Sequence, residues 1–160
     1  MTDLISDGMT TAWWVPTIAN IHAPAATEIA AGSDWTPRFT PDGLQTDPTT
    51  ASVDTGSLAS TQDTSEAGRR SWDVQMTLKR GTIGSADDAP YRTLLYKTYG
   101  NWVIRRGVTY GTAIAAGQQV EVYPVVCGER INIKPAANEV MKLTSPAMLT
   151  SDADTNATVV

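Results

Sequence analysis

The 160-residue sequence has few of the residues on which catalytic sites and cross-linked folds depend. It contains one cysteine, Cys127, and one histidine, His22. A single cysteine excludes an internal disulfide framework and a cysteine-based metal cage. No apolar run approaches the roughly 20 residues that a membrane helix needs, and the first residues lack the basic segment of a secretory signal. We therefore expect a protein that is made in the cytoplasm, has no contact with a membrane and needs no metal or cofactor.

The sequence patterns of common catalytic sites are also missing. There is no Gly-x-Ser-x-Gly nucleophile elbow and no glycine-rich phosphate-binding loop. His22 lies in an apolar stretch without a cysteine or carboxylate at ligand spacing, and Asp87-Asp88 precedes a predicted helix, where a carboxylate caps free N–H groups. We therefore predict no catalytic residue and no enzymatic activity. A small hydrolase that uses His22 is the enzymatic alternative.

What the sequence does have is an uneven distribution of charge. Residues 1–68 carry nine acidic residues and one basic residue, a net charge of −8, and residues 69–142 carry eleven basic and six acidic residues, a net charge of +5. Opposite potentials on one molecule steer copies together head to tail. We therefore predict subunit contacts at two basic pairs, which are Arg69, Arg70, Arg105 and Arg106. The alternative is that both charged portions face water.

Alternating apolar residues predict a β-rich fold. Ser71–Arg80 predicts a strand with four inward side chains, Trp72, Val74, Met76 and Leu78, and Asn101–Arg106 predicts another. Apolar residues at helical spacing predict a helix over Asp87–Tyr99, and Thr27–Ala31 is expected to be a short strand. The fold class is therefore α+β, mostly β, a β-sandwich or partly open barrel with one flanking helix.

The segment Gln118–Thr150 predicts a long β-hairpin. Its first strand has a uniformly apolar face, formed by Val120, Val122, Pro124 and Val126. The other face carries Glu121 and Tyr123, which predicts contact with water or with another subunit. The second strand, Glu139–Thr150, contains Pro146, which cannot donate to a ladder. We therefore expect this strand at a sheet edge, where it is available to pair with another chain.

The first half of the chain predicts two segments that reach outward. In a strand over Thr10–Ile21, the adjacent Trp13 and Trp14 face opposite ways, so we expect one of them to pack on a neighbouring subunit. The alternative is a strand buried on both faces. The polar loop at 55–68 and an N-terminal arm at 1–22 are expected to contact neighbouring subunits, as parts of a single domain over 1–160.

The strand–loop–helix–strand order, the polar loop before Arg69 and the segment Gly117–Leu149 (GQQVEVYPVVCGERINIKPAANEVMKLTSPAML) resemble the tail tube protein, or major tail protein, of long-tailed, non-contractile bacteriophages. The resemblance covers essentially the whole chain. It implies a non-enzymatic virion protein, assembled in the host bacterial cytoplasm into stacked hexameric rings. Its partners would be other copies, a tape-measure protein and tail-end proteins, and double-stranded DNA would pass through without specific binding.

A tube that conducts DNA should repel phosphates, so Glu121 and Glu139 are the predicted lumen-facing residues. The alternative function is a carbohydrate- or ligand-binding β-sandwich. Its stacking residues would be Trp13, Trp14, Trp35 and Tyr110. An exposed row of these aromatic side chains on a monomer would favour that alternative.

Overall fold

The computed structural model describes residues 2–160; Met1, the first residue of the predicted arm, lies outside this range. Nine strands and two short α-helices follow one another in the described chain. They are β1 (Thr10–Val15), α1 (Ala26–Ala31), β2 (Ser33–Asp34), β3 (Phe39–Asp54), β4 (Ser65–Lys79), α2 (Ala89–Thr93), β5 (Tyr99–Arg106), β6 (Gln119–Cys127), β7 (Ile131–Asn132), β8 (Lys142–Leu149) and β9 (Asp154–Thr158). Strands dominate, so the predicted mostly-β class is confirmed.

All nine strands belong to one antiparallel sheet that curls on itself. The order is β2-β1-β5-β6-β8-β4-β3, with β7 paired to β8 and β9 paired to β6. Three strands separate β5 from β3, yet the guanidinium of Arg106 on β5 lies 3.5 Å from the hydroxyl of Thr46 on β3. This curl gives the sheet an inner face and an outer face, and apolar side chains collect on both.

The inner face holds the larger core, built around four aromatic side chains. Trp102 of β5 packs edge-on against Trp14, Trp35 and Phe39, with ring centroids 5.2, 5.8 and 5.6 Å away. Gly100 lies two residues before Trp102 on the same face, and a β-carbon there would overlap the indole ring of Trp14. Apolar side chains of β4, β6 and β8 complete this core, among them Val74, Met76, Leu78, Tyr123, Val125 and Leu143.

The outer core covers only part of the outer face. α1 contributes the fully buried Ile29 to a cluster with strand residues Trp13, Val15, Val103, Val120 and Val122. On the other part of the sheet, outer-face residues of β4 such as Asp73 and Gln75 remain exposed or half-exposed. One half of the outer face is therefore closed by the chain itself, and the other half is open.

The prediction that the second hairpin strand is a sheet edge was wrong. β8 pairs with β4 from Val74↔Ala147 to Lys79↔Lys142, and with β6 and β7 on its other side. The mixed face of β6 was also misjudged, because Tyr123 is buried in the inner core. Burial raises the pKa of its phenol, with hydrogen bonds to Thr46 and Glu121 as smaller influences of opposite sign. Both faces of β6 therefore meet a core, although the face of Tyr123 also carries Glu121.

Two predicted segments have a different local structure. The helix expected over Asp87–Tyr99 is confined to a 3-10 turn followed by α2. After α2 the backbone N–H of Lys97 donates to the carbonyl of Cys127, which holds the chain at the end of β6. The strand expected at Thr27–Ala31 is helix α1. There the Glu28 carboxylate accepts the N–H of Ala25 and satisfies a donor that the first helical turn leaves free.

Other predictions agree with the structure. The strands over Ser71–Arg80 and Asn101–Arg106 are confirmed as parts of β4 and β5. β3 runs over Phe39–Asp54 and includes Pro41 and Pro48, which the sheet tolerates because β3 is an edge strand. The predicted polar loop at 55–68 is shortened to 55–64, and the next four residues begin β4.

Candidate assembly surfaces

The β3–β4 hairpin extends well beyond the body of the protein. β4 pairs with β8 only from Val74 onward, whereas β3 and β4 continue to pair with each other up to Asp54↔Ser65. We call this extension, Pro48–Asp54 together with Ser65–Trp72, the ribbon. Nearly all of its side chains are exposed on both faces. An isolated two-stranded ribbon is marginal in water, and both of its long edges carry backbone groups that a further strand can pair with.

Two carboxylates oppose each other at the base of the ribbon. Asp47 of β3 and Asp73 of β4 are direct cross-strand partners on the open outer face. Like charges in this position destabilise a sheet. The amides of Gln45 and Gln75 donate to the two carboxylate oxygens of Asp73, at 2.9 and 3.2 Å, and partly offset the repulsion. The pair keeps an acidic spot on this face at some cost in stability.

The two adjacent tryptophans lie inside the subunit. Trp14 is 2% exposed in the inner core and Trp13 is 8% exposed in the outer core. The two side chains face opposite ways, as predicted, but each one packs in a core of its own subunit. The structure therefore supports the alternative of a strand buried on both faces, and removes the reason for placing either tryptophan at a subunit interface.

The two basic pairs have different environments. Arg105 is buried, stacks on the Trp13 ring and donates to the carbonyls of Thr112 and Ala113. Burial lowers the pKa of Arg105, and the nearby Asp34 opposes this shift. Arg105 therefore holds the loop after β5, and its predicted place in an interface is corrected. Three other arginines, Arg69, Arg70 and Arg106, are exposed, so their subunit contacts stay a prediction.

The predicted lumen residues have partners within the subunit. The Glu121 carboxylate accepts hydrogen bonds from Arg106, at 2.9 Å, and from the Tyr123 hydroxyl, at 2.8 Å. Glu139 accepts one from Lys142, at 3.0 Å, in an exposed loop. Their lumen-facing role stays a prediction. Asp47 and Asp73 were not identified from the sequence as candidate lumen residues. The alternation in β4 places Asp73 on its polar face, but the position of Asp47 opposite it follows only from the pairing of β3 with β4.

The aromatic residues of the alternative function do not form a row. Trp13, Trp14 and Trp35 are buried, and of the four only Tyr110 is exposed. A stacking platform for a sugar needs accessible rings, so the geometry gives this alternative no support. Cys127 is buried as well, and burial raises the pKa of its thiol, although the nearby Ser145 hydroxyl opposes the shift.

His22 contacts the C-terminal strand, β9, through its side chain and its backbone. Its Nδ1 lies 2.5 Å from Oδ2 of Asp154 at the start of β9, and its carbonyl accepts the N–H of Thr158. Partial burial raises the pKa of Asp154, but the bonds from His22 and the Asn156 N–H outweigh it, so the pKa lies below its usual value. The contact is structural, and it gives His22 a role other than catalysis.

We expect this contact to make stability depend on pH in the acid range. A carboxylate whose folded pKa is depressed stabilises the protein above its unfolded pKa of about 3.9, and the contribution is lost as pH falls through the folded pKa. In Asp154→Asn, thermal unfolding followed by circular dichroism should show a shallower drop between pH 5 and pH 3. The difference should stay within about 1 kcal/mol, because His22 is largely exposed. Asp152→Asn, two residues away, is the control and should leave the drop unchanged.

Within residues 2–160 there is no group of three or more histidine, cysteine, aspartate or glutamate side chains placed to hold a metal ion. The same residues include no helix that is long and apolar enough to cross a membrane.

The family model for phage tail tube proteins matches residues 1–160. The chain belongs to this family. No curated protein sequence is similar enough to be matched. Among solved structures, the tail tube fold is similar to a chain in the cryo-EM structure of the anti-feeding prophage (AFP) baseplate, 6-fold symmetrised, with a TM-score of 0.54, 13% identity and 96% of each chain covered. This tail tube protein is therefore a structural, non-enzymatic component of a virion tail.

Proposed function

We propose that the protein assembles into hexameric rings that stack into the tail tube, the conduit for double-stranded DNA during ejection. Copies would assemble in the host bacterial cytoplasm around a tape-measure protein, between tail-end proteins. Residues 1–160 would form one tail-tube domain. That the tail belongs to the non-contractile type stays a prediction.

The observation that carries this proposal is the ribbon with two open edges. In a ring, every copy has the same orientation relative to the axis, so the β4 edge of one ribbon runs antiparallel to the β3 edge of the next. Pairing of unlike edges is heterologous and closes only through a ring. Six ribbons joined in this way would form a continuous β-barrel, and the unpaired edges that are a liability in a monomer would all be paired.

The open outer face supplies a candidate lining for the channel. It carries the Asp47–Asp73 pair, and a DNA conduit needs a wall that does not bind phosphates. We place the acidic lining at this pair in preference to Glu121 and Glu139, because Glu121 is engaged by Arg106 and Tyr123. Repeated around a ring of six copies, the opposed carboxylates would form one acidic belt of twelve carboxylates.

The predicted arm and loop also support assembly. β1 begins at Thr10, so residues 2–9 of the described chain lie outside the sheet, and among them Leu4 and Ile5 are exposed. The hairpin loop at 55–64 exposes Leu58 completely. Exposed aliphatic side chains on extended segments are suited to contacts with neighbouring copies.

The test is electron microscopy of the purified full-length protein in negative stain. We expect rings with six-fold averages and tubes with a regular axial repeat. Analytical ultracentrifugation over a wide concentration range should show association beyond a monomer. A protein that stays monomeric at all concentrations, or that forms only two-fold dimers, would contradict the proposal.

A further inference from the structure

The two ends of the sheet differ in charge and polarity. The ribbon projects from the end where β5 finishes and β1 begins, because β4 is antiparallel to β8 and β6 is antiparallel to both β8 and β5. The tip of the hairpin, residues 54–66, carries Asp54, Asp63 and Glu66 and no basic residue. Leu58 stands at its apex, fully exposed. The tip is thus an acidic finger with one apolar residue at its end.

The opposite end of the sheet is apolar and basic. Here the turn before β5 and the chain after β6 expose Leu95, Tyr96, Tyr99 and Ile131. The basic side chains Lys97 and Arg130 lie among them, and we call these six residues the opposite-end patch. Tyr99 is 68% exposed and Ile131 is 56% exposed, and apolar side chains that cluster on a surface are typical of interaction sites.

Stacked side chains connect the segments that carry the patch. The guanidinium groups of Arg80 and Arg130 lie 3.6 and 3.7 Å from the centroid of the Tyr91 ring. Arg130 also donates to the Tyr91 carbonyl, and Lys97 lies over the Tyr96 ring. The Tyr91 contacts tie α2 to the chain after β6, and backbone hydrogen bonds of Lys97 and Thr98 with Cys127 hold the turn before β5 against the end of β6. The patch residues therefore lie on neighbouring segments.

Most of the acidic side chains at this end form ion pairs with basic side chains of the same subunit. Asp88 is buried against Arg80, Glu139 is paired with Lys142, and Asp87 lies 3.9 Å from Arg38. Glu129 is the exposed carboxylate that remains beside the patch. Among residues 2–160, no carboxylate forms an ion pair with Lys97, Arg130, Arg92 or Lys134. The patch therefore retains unneutralised positive charge.

We propose that the hairpin tip of one copy docks on the opposite-end patch of a second copy, with Leu58 among the apolar side chains and Asp54, Asp63 and Glu66 facing Lys97 and Arg130. The inference rests on the proposed function and names the contact that joins one ring to the next. The occupant is identified by charge complementarity and by position, because tip and patch lie at opposite ends of the same subunit. Such a contact is heterologous and repeats without limit, as stacking along a tube requires.

The test is a charge exchange between the tip and the patch. Asp63→Lys and Lys97→Glu each place like charges in contact, and the contact repeats in every subunit of a ring. We expect each single variant to raise the protein concentration needed for tubes at least about tenfold. The double variant should return to near the unchanged protein. Asp152→Lys makes the same charge change on the ribbon end but away from the tip, and should assemble normally.

The readouts are tube length in negative stain and the sedimenting fraction at low and high salt. Rings without tubes in the single variants, and tubes again in the double variant, support the docking. Single variants that assemble like the unchanged protein, or a double variant no better than either single one, overturn it. If the unchanged protein forms open chains without rings, the ring proposal fails, while rescue of chain length by the double variant still supports the docking. No self-association of the unchanged protein would overturn both.

Discussion

Removing residues 51–69, which comprise most of the ribbon and the whole hairpin tip, should abolish ring formation and leave the subunit folded. Replacing residues 51–69 by Asn-Gly joins Thr50 to Arg70, which are already cross-strand partners, through a two-residue turn. The lost edge would contribute about four intersubunit backbone hydrogen bonds of about 1 kcal/mol each, and thus about a thousandfold in affinity for each contact. Electron microscopy and sedimentation velocity should show monomers at concentrations at which the unchanged protein assembles.

A smaller deletion provides the matched control. Removing residues 57–62 leaves Gly56-Asp63 as a two-residue turn between Thr55 and Thr64, whose backbones and hydroxyls already meet. Glycine in the first position suits a type II′ turn. This variant keeps both ribbon edges, so it should still form rings. Rings formed by the larger deletion would show that the ribbon does not join the subunits.

Trp102→Ala should destabilise the subunit more than any other substitution considered. The side chain is fully buried and packs against three other aromatic rings. Truncation of a buried tryptophan costs about 3–5 kcal/mol, which corresponds to a fall of roughly 10 °C in Tm for a chain of this size. Urea unfolding followed by tryptophan fluorescence measures the change as a lower midpoint at an unchanged slope.

Tyr99→Ala is the control on the same strand. Tyr99 is exposed on the outer face, so its truncation should change the free energy of unfolding by no more than about 0.5 kcal/mol. A loss below about 1 kcal/mol for Trp102→Ala would mean that the aromatic cluster is not the centre of the inner core.

Strands were predicted most accurately from the sequence where one face is apolar and the other is polar. β4 alternates from Trp72 to Leu78, and its period of two is visible without a structure. In β6 the contrast was misleading, because Glu121 suggested that one face met water or another subunit, whereas Tyr123, Val125 and Cys127 bury that face in the inner core. Helix α1 spans six residues, too few for a helical period to emerge.

Strand pairing explains the larger errors about the candidate site. A proline in β8 suggested an edge, but the strand lies between β4 and β6, and Pro146 is accommodated opposite Gln75. The edge strand beside β4 is β3, and it was hidden by Pro41 and Pro48, which are typical of loops. Which strand is an edge depends on contacts between distant segments, and composition along one segment does not encode it. The charge polarity, in contrast, was visible because it is a property of the linear sequence.

Gly100 has a consequence for how β1 finds its register on β5. A slip by two residues would keep every β1 side chain on its own face of the sheet, so burial alone penalises it weakly. The fit of the Trp14 ring beside Gly100 opposes such a slip, because a β-carbon at that position would overlap the ring. We expect this fit to select the native pairing of β1 and β5 from slipped alternatives.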